Sequence, residues 1–144
     1  MNIQRSAGAN HNALLQLCES FLSEICVGRG GRELRKDLSE LFECESGALE
    51  ARLAIEAQRG WIADATQVLG FGFWFKGVGL IYVAPESRQH GTGRALYNAI
   101  RGEHTEIDFW VRPGDRAAKS FGEALGLKAR KLVMNESQVA DAEE

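Results

Sequence analysis

Three observations predict an α/β fold with a mixed, mostly antiparallel sheet flanked by about four helices. Apolar residues recur at helical steps in some stretches and at every second position in others. Strand-like stretches follow one another through short turns in the middle of the chain, giving hairpins rather than a regular βαβ alternation. A glycine-containing loop then joins a continuous apolar run to an amphipathic stretch, as at a strand-to-helix turn.

Taken in order, Asn2–Ser6 reads as a short first strand and Ala7–Asn12 as its exit turn. Leu14, Leu17, Cys18, Phe21, Leu22 and Ile25 make one apolar stripe of a helix, ended by Gly28, Gly30 and Gly31. Leu34, Leu38, Leu41 and Phe42 define a second helix that stops near Gly47. Leu53 and Ile55 then alternate with Arg52, Ala54 and Glu56, the pattern of a half-buried strand. After a turn at Gln58–Gly60, a longer strand puts Leu69, Phe71, Phe73 and Phe75 on one face, and Val68, Gly70, Gly72 and Trp74 on the other. Val78–Val83 is apolar almost throughout, as in a central strand covered on both faces, and Pro85 ends it because proline cannot donate to a ladder.

The helix beyond the glycine loop buries Ala95, Leu96, Ala99 and Ile100. Glu106–Val111 reads as a strand with Ile107, Phe109 and Val111 on one face. Pro113–Gly114 turns the chain, Asp115 is a suitable N-cap, and Ala118, Phe121 and Leu125 mark a last helix closed by Gly126. Lys128–Met134 reads as a final strand. Residues 1–134 therefore form one domain, and 135–144 an acidic tail without periodicity, expected to be mobile.

Composition narrows the function. A net charge of −3 offers no basic field for a nucleic acid, and no stretch approaches the ~20 apolar residues of a membrane span. Cys18, Cys26 and Cys44 lack the close-pair spacing of a zinc site, so no metal is expected; Cys18 and Cys26 read as buried positions of one helix, and reduced thiols suit a cytoplasmic protein. Trp61, Trp74 and Trp110 read as packing residues, and His11 and His104 as exposed ones.

The chemistry lies in Arg88-Gln89-His90-Gly91-Thr92-Gly93-Arg94. A loop entering a helix offers several N–H groups and a helix N-terminus to one anion. Gly91 and Gly93 keep Cβ atoms out of the way, and Arg88 and Arg94 supply cations. A diphosphate suits such a site. A Walker loop is excluded because Arg94-Ala95 stands where Lys-Ser/Thr is required, and a dinucleotide fingerprint because Leu96 replaces its third glycine. Two glycines alone would equally suit a turn that holds no ligand.

The context Ile81-Tyr82-Val83-Ala84-Pro85-Glu86-Ser87-Arg88-Gln89-His90-Gly91-Thr92-Gly93-Arg94-Ala95-Leu96 resembles motif A of the GNAT N-acetyltransferase superfamily. Asp115-Arg116-Ala117-Ala118-Lys119-Ser120-Phe121, followed by Leu125-Gly126-Leu127, is similar to that family's next motif, and the element order matches over Asn2–Met134. The resemblance implies a splayed sheet holding acetyl-CoA or another acyl-CoA as co-substrate between Val78–Val83 and Glu106–Val111. It implies that Gln89, His90, Gly91, Thr92, Gly93 and Arg94, with Arg88, bind the pyrophosphate. It places the pantetheine arm along Tyr82, Val83 and Ala84, has Asp115 and Phe121 complete the cofactor site, and has backbone N–H groups near Val83 polarise the thioester. An amine acceptor would approach past the first two helices and their Gly28–Arg32 junction.

Two positions depart from the family pattern. The tyrosine that reprotonates the departing thiolate maps to Gly122, and Gly77, Val78 and Gly79 stand where an acidic residue is often found. The general base must come from elsewhere, with Tyr82, Asp108 or water as candidates. The expected activity is acyl transfer from acyl-CoA to a primary amine. The alternative is an inactive GNAT-fold component of a larger assembly, such as a phage virion protein, for which the small size and missing tyrosine speak. Nucleic acid and membrane are not expected as partners; a homodimer or incorporation in an assembly stays open.

Overall fold

The computed structural model describes residues 1–28, 30–112 and 115–130. The order is β1 (Asn2–Arg5), α1 (His11–Ile25), α2 (Gly31–Leu41), α3 (Leu49–Gln58), β2 (Trp61–Asp64), β3 (Val68–Phe75), β4 (Val78–Val83), α4 (Thr92–Arg101), β5 (Asp108–Phe109) and α5 (Arg116–Ala124). Short 3-10 turns at Ser46–Ala48 and Pro85–Ser87 precede α3 and the glycine loop. The five strands form one sheet in sequence order, antiparallel from β1 to β4 and parallel between β4 and β5.

Strand alternation divides the interior in two. Phe71 and Phe73 of β3, with Leu80 and Tyr82 of β4, join the apolar stripes of α1, α2 and α3 in one buried cluster. Phe42 beyond α2 reaches this cluster, its ring centroid 4.9 Å from that of Phe75. On the other face Gly72 lies against α4, where an added Cβ would be 3.1 Å from Ile100 Cδ1. Small residues on that face let α4, whose Leu96 and Ile100 are fully buried, sit close to the strands.

Three sequence expectations change. Arg52–Glu56 is helix, not strand, so about four helices become five among the described residues. Leu49, Leu53, Ala54 and Ala57 are fully buried at helical spacing, whereas Ile55, read as an inward strand residue, is 42% exposed. Glu56 is buried as well, its carboxylate 2.5 Å from Arg52 and 3.1 Å from Arg59. The stretch after Gly60 is two strands, β2 and β3, divided at Ala65–Gln67. Glu106–Val111 pairs only at Asp108 and Phe109, and Lys128–Arg130 has no strand conformation; the rest of the expected last strand, and the 135–144 tail, lie outside the described residues. Cys18 and Cys26 are buried as expected, and burial pushes their thiols up to about 12 and about 11.

Gly60 is where α3 meets the sheet. An added Cβ would stand 2.1 Å from Gly72 O and 2.8 Å from Phe73 Cβ, and backbone cannot yield as a flexible side chain does. Gly60→Ala should therefore cost about 1–3 kcal/mol or more in a urea melt. Gly47→Ala, whose Cβ meets nothing within 4 Å, should stay within about ±0.5 kcal/mol. Equal stabilities for the two variants would contradict this packing.

Candidate functional site

The site begins with an edge of β4 that loses its partner. β5 pairs with β4 only at Val78–Asp108 and Gly79–Phe109. The chains approach closely there, since a Cβ on Gly79 would be 2.7 Å from Ile107 Cγ2 and 2.8 Å from Phe109 Cζ. Beyond Gly79, β3 is the only strand that pairs with β4 among the described residues. The N–H of Ala84 donates to Leu69 O at 2.8 Å, so Tyr82 and Ala84 direct their backbone groups toward β3. By strand alternation Ile81 and Val83 direct theirs toward the open edge. Of the stretch Tyr82–Ala84, only Val83 thus offers backbone groups to a pantetheine arm, and Ile81 joins it.

The chain then passes Pro85–Ser87 and enters the glycine loop. Gln89 and Gly91 adopt left-handed conformations (φ 66° and 81°), and Gly91 precedes the first residue of α4. Among the described residues, the N–H groups of Gln89 to Arg94 donate to no backbone acceptor, while Ala95 N–H is the first to bond back, to Gly91 O at 3.0 Å. Consecutive N–H groups around left-handed residues at a helix N-terminus form an anion-binding concavity. Gln89, His90 and Gly91 are exposed, and a Cβ on Gly91 would meet nothing within 4 Å. The residues present fit a diphosphate.

Arg88 stands where the loop meets the open edge, but it is not held out toward the loop. Its Nε donates to Val83 O at 2.9 Å, and its two terminal nitrogens clamp the Glu24 carboxylate at 2.7 and 2.8 Å. Glu24 belongs to the last turn of α1 and also accepts the Tyr82 hydroxyl at 2.7 Å. The hydrogen bond from Arg88, with Tyr82 adding to it, holds Glu24 below its ordinary value of 4.5. Tyr82 is buried with its ring edge-on to Phe21 at 5.8 Å. Burial, then the bond to Glu24, push its phenol well above its ordinary value. A phenol so held keeps its proton and is a poor base.

The other expected site residues divide by location. Arg94 donates to Ala124 O at 3.0 Å, a bond to the C-terminal turn of α5. Phe121 lies on Gly93, where an added Cβ would be 3.0 Å from its Cζ. Asp115 caps α5 by accepting from Ala118 N–H at 3.0 Å. Gly93, Phe121 and Arg94 thus dock α5 against the loop, while the Asp115 bond stays within the first turn of α5. Thr92 is buried at the start of α4, its hydroxyl 3.3 Å from Met1 Sδ. Asp108 is exposed opposite Val78, about 13 Å along β4 from Tyr82 at ~3.3 Å per residue, so the two candidate bases are not brought together. Among the described residues there is no cluster of three or more acidic, His or Cys groups suited to a metal, and no helix long and apolar enough to cross a membrane.

This architecture matches solved structures over nearly its whole length. A ribosomal-protein-alanine N-acetyltransferase from Brucella melitensis superposes with a TM-score of 0.60 at 18% identity, over 88% of this chain and 83% of the other. The fold is that of the GNAT acetyltransferases. AAC(6')-Iy, in complex with the bisubstrate analogue CoA-S-monomethyl-acetylneamine, aligns with a TM-score of 0.59 at 15% identity over 95% of this chain and 97% of that one. No protein-family model and no curated protein matches the sequence, so the likeness to these acetyltransferases is one of fold.

Sequence reading did not single out Glu24. It lies on the polar side of α1, and its partners Tyr82 and Arg88 are 58 and 64 residues away. Because folding lowers the Glu24 value, its pairing stabilises the protein above the ordinary value of 4.5 and is lost as pH falls through the folded value. A difference in melting temperature between wild type and Glu24→Gln should therefore be present at neutral pH and close on acidification below about 4.5. A difference independent of pH would mean that the carboxylate is not held by Arg88.

Proposed function

We propose that the chain is an acyl-CoA-dependent N-acyltransferase, moving an acetyl or other acyl group to a primary amine. One juxtaposition carries this reading: the open edge of β4 leads into a loop whose Gln89–Arg94 N–H groups have no backbone acceptor among the described residues. A diphosphate suits the loop, and an extended arm bearing amides suits the backbone groups of Ile81 and Val83; acyl-CoA joins these two parts at the right ends. The structurally similar proteins are N-acetyltransferases, one of them bound to a CoA conjugate, which supports the same assignment.

In the reaction the neutral amine attacks the thioester carbonyl carbon. A C–N bond forms, the nitrogen gives up a proton to water, the C–S bond breaks, and the sulfur leaves as a thiolate that takes up a proton. The Val83 N–H, directed to the open edge, suits the developing oxyanion. Holding both reactants in one cleft supplies much of the rate. Tyr82 does not serve as base, since its proton is committed to Glu24. Residue 122 is glycine, so the thiolate takes its proton from water or from a group other than the family's tyrosine.

Two substitutions test the assignment. Gly91→Ala and Gly91→Glu share the same backbone strain at φ 81°, so their difference isolates the added charge. Gly91→Glu should bind CoA more weakly than Gly91→Ala by about 2 kcal/mol or more, read by calorimetry. Equal affinities would remove the pyrophosphate from this loop. At Gly122 an added Cβ would meet only Leu127, at 3.9–4.0 Å, so a larger side chain has room to start. A positioned acid contributes roughly 10²–10⁴-fold. Wild-type thiol release from acetyl-CoA against a panel of amines should be slow, and Gly122→Tyr should raise it. CoA binding with no turnover by either variant would instead favour an inactive GNAT-fold component.

A further inference from the structure

We infer that Arg88 makes the charge of Glu24 conditional on the cofactor: without acyl-CoA the arginine neutralises Glu24, and acyl-CoA draws it away, leaving a carboxylate to position the acceptor amine. This rests on the acyl-CoA reading above and goes beyond it by naming a group on the acceptor side and what controls it.

Every hydrogen bond of the Arg88 side chain is one that the cofactor contests. Its Nε occupies Val83 O, a carbonyl on the open edge where an amide N–H of the pantetheine arm would bond. Its terminal nitrogens are spent on Glu24, although Arg88 immediately precedes the Gln89–Arg94 amides. A diphosphate there carries more charge than one carboxylate and attracts a guanidinium in the same bidentate way. The pair is open enough to exchange, with side chains 38% and 36% exposed. Such an ion pair is weak, whereas a fully buried one would be costly to part.

The groups facing Glu24 are Arg88 from the loop, Tyr82 from β4 and the charge of Arg112 beyond β5; Glu86 and Asp115 act on Tyr82 and Arg88 respectively. Once Arg88 leaves, the Tyr82 hydroxyl still fixes Oε1 at 2.7 Å, so the carboxylate keeps its place while losing its closest cation. Glu24 ends α1 beside the junction with α2, the side from which an acceptor would come. Oε2, whose Arg88 bond at 2.7 Å is lost, is then available to accept an N–H of the amine. Amine binding is favoured after acyl-CoA, and the ammonium proton passes to water.

Two measurements on the full chain test the coupling, with CoA as the probe. Carbon-13 NMR of labelled glutamate side chains, assigned with Glu24→Gln, should show the Glu24 midpoint rising when CoA saturates the protein, since the hydrogen-bonded guanidinium that holds it down is then lost. In Arg88→Ala the midpoint should already be raised and be indifferent to CoA. Calorimetry should show Glu24→Gln binding CoA more tightly than wild type, by up to about fivefold, because an exposed ion pair no longer competes for the arginine. A structural pair predicts unchanged or weaker binding instead. If CoA binds while the midpoint stays fixed and Glu24→Gln gains nothing, the coupling is wrong and the cofactor site stands. If CoA does not bind the wild type, the cofactor reading falls and the coupling falls with it.

Discussion

A strand inside a sheet has N–H and C=O groups on both edges, and each needs a partner. β4 satisfies one edge along its whole length through β3, from Gly70–Val83 to Phe75–Val78. On the other edge β5 serves only the first two residues. The remaining polar groups of Ile81 and Val83, close to the core yet without a strand partner among the described residues, are the constraint on which the candidate site depends. One of them, Val83 O, is met by the Arg88 side chain. That places a cation at the mouth of the glycine loop and brings Glu24 of α1 and the Tyr82 hydroxyl together around it. The same unpaired edge therefore explains the polar cluster at its end.

The cluster is weak as glue and useful as a hinge. A half-exposed ion pair contributes about 0.2–1 kcal/mol, a small part of the ~5–15 kcal/mol that holds a domain together. Its geometry is nevertheless well determined, because Tyr82 is anchored in the core against Phe21 and presents its hydroxyl to Glu24 at 2.7 Å. Rigid packing beneath and exchangeable charge above suit a residue that must hold position while its partner changes.

Much of this architecture was legible in the sequence, and the exceptions have physical causes. The run Val78–Val83, the N-cap at Asp115 and the glycine loop are local features, decided by hydrophobic run length, one side-chain hydrogen bond and backbone permissiveness. Arg52–Glu56 misled because five residues do not separate the two periods; Leu49 and Ala57, just outside that window, complete the helical face. The β2–β3 turn was hidden because Ala65–Gln67 lacks glycine and proline. Glu24 was out of reach altogether, since a polar residue on a helix takes its meaning from partners that only the tertiary fold brings to it. Arg88 was read as a phosphate ligand from its place in the motif, while its side chain is engaged by Glu24 and Val83 O.

The two glycines of the loop answer different demands, although the motif treats them alike. Gly91 needs its left-handed backbone and has open space around its missing side chain, as a ligand's approach requires. Gly93 has helical backbone and no such space, because Phe121 lies within 3.0 Å of where its Cβ would be. Its absent side chain admits another part of the protein, not a phosphate. With the Arg94 bond to Ala124 O at 3.0 Å, that contact ties α5 to the first turn of α4. Gly122, next to Phe121, is therefore held at a fixed place beside the loop. A side chain added there would start from a defined position, with only Leu127 within 4 Å of its Cβ.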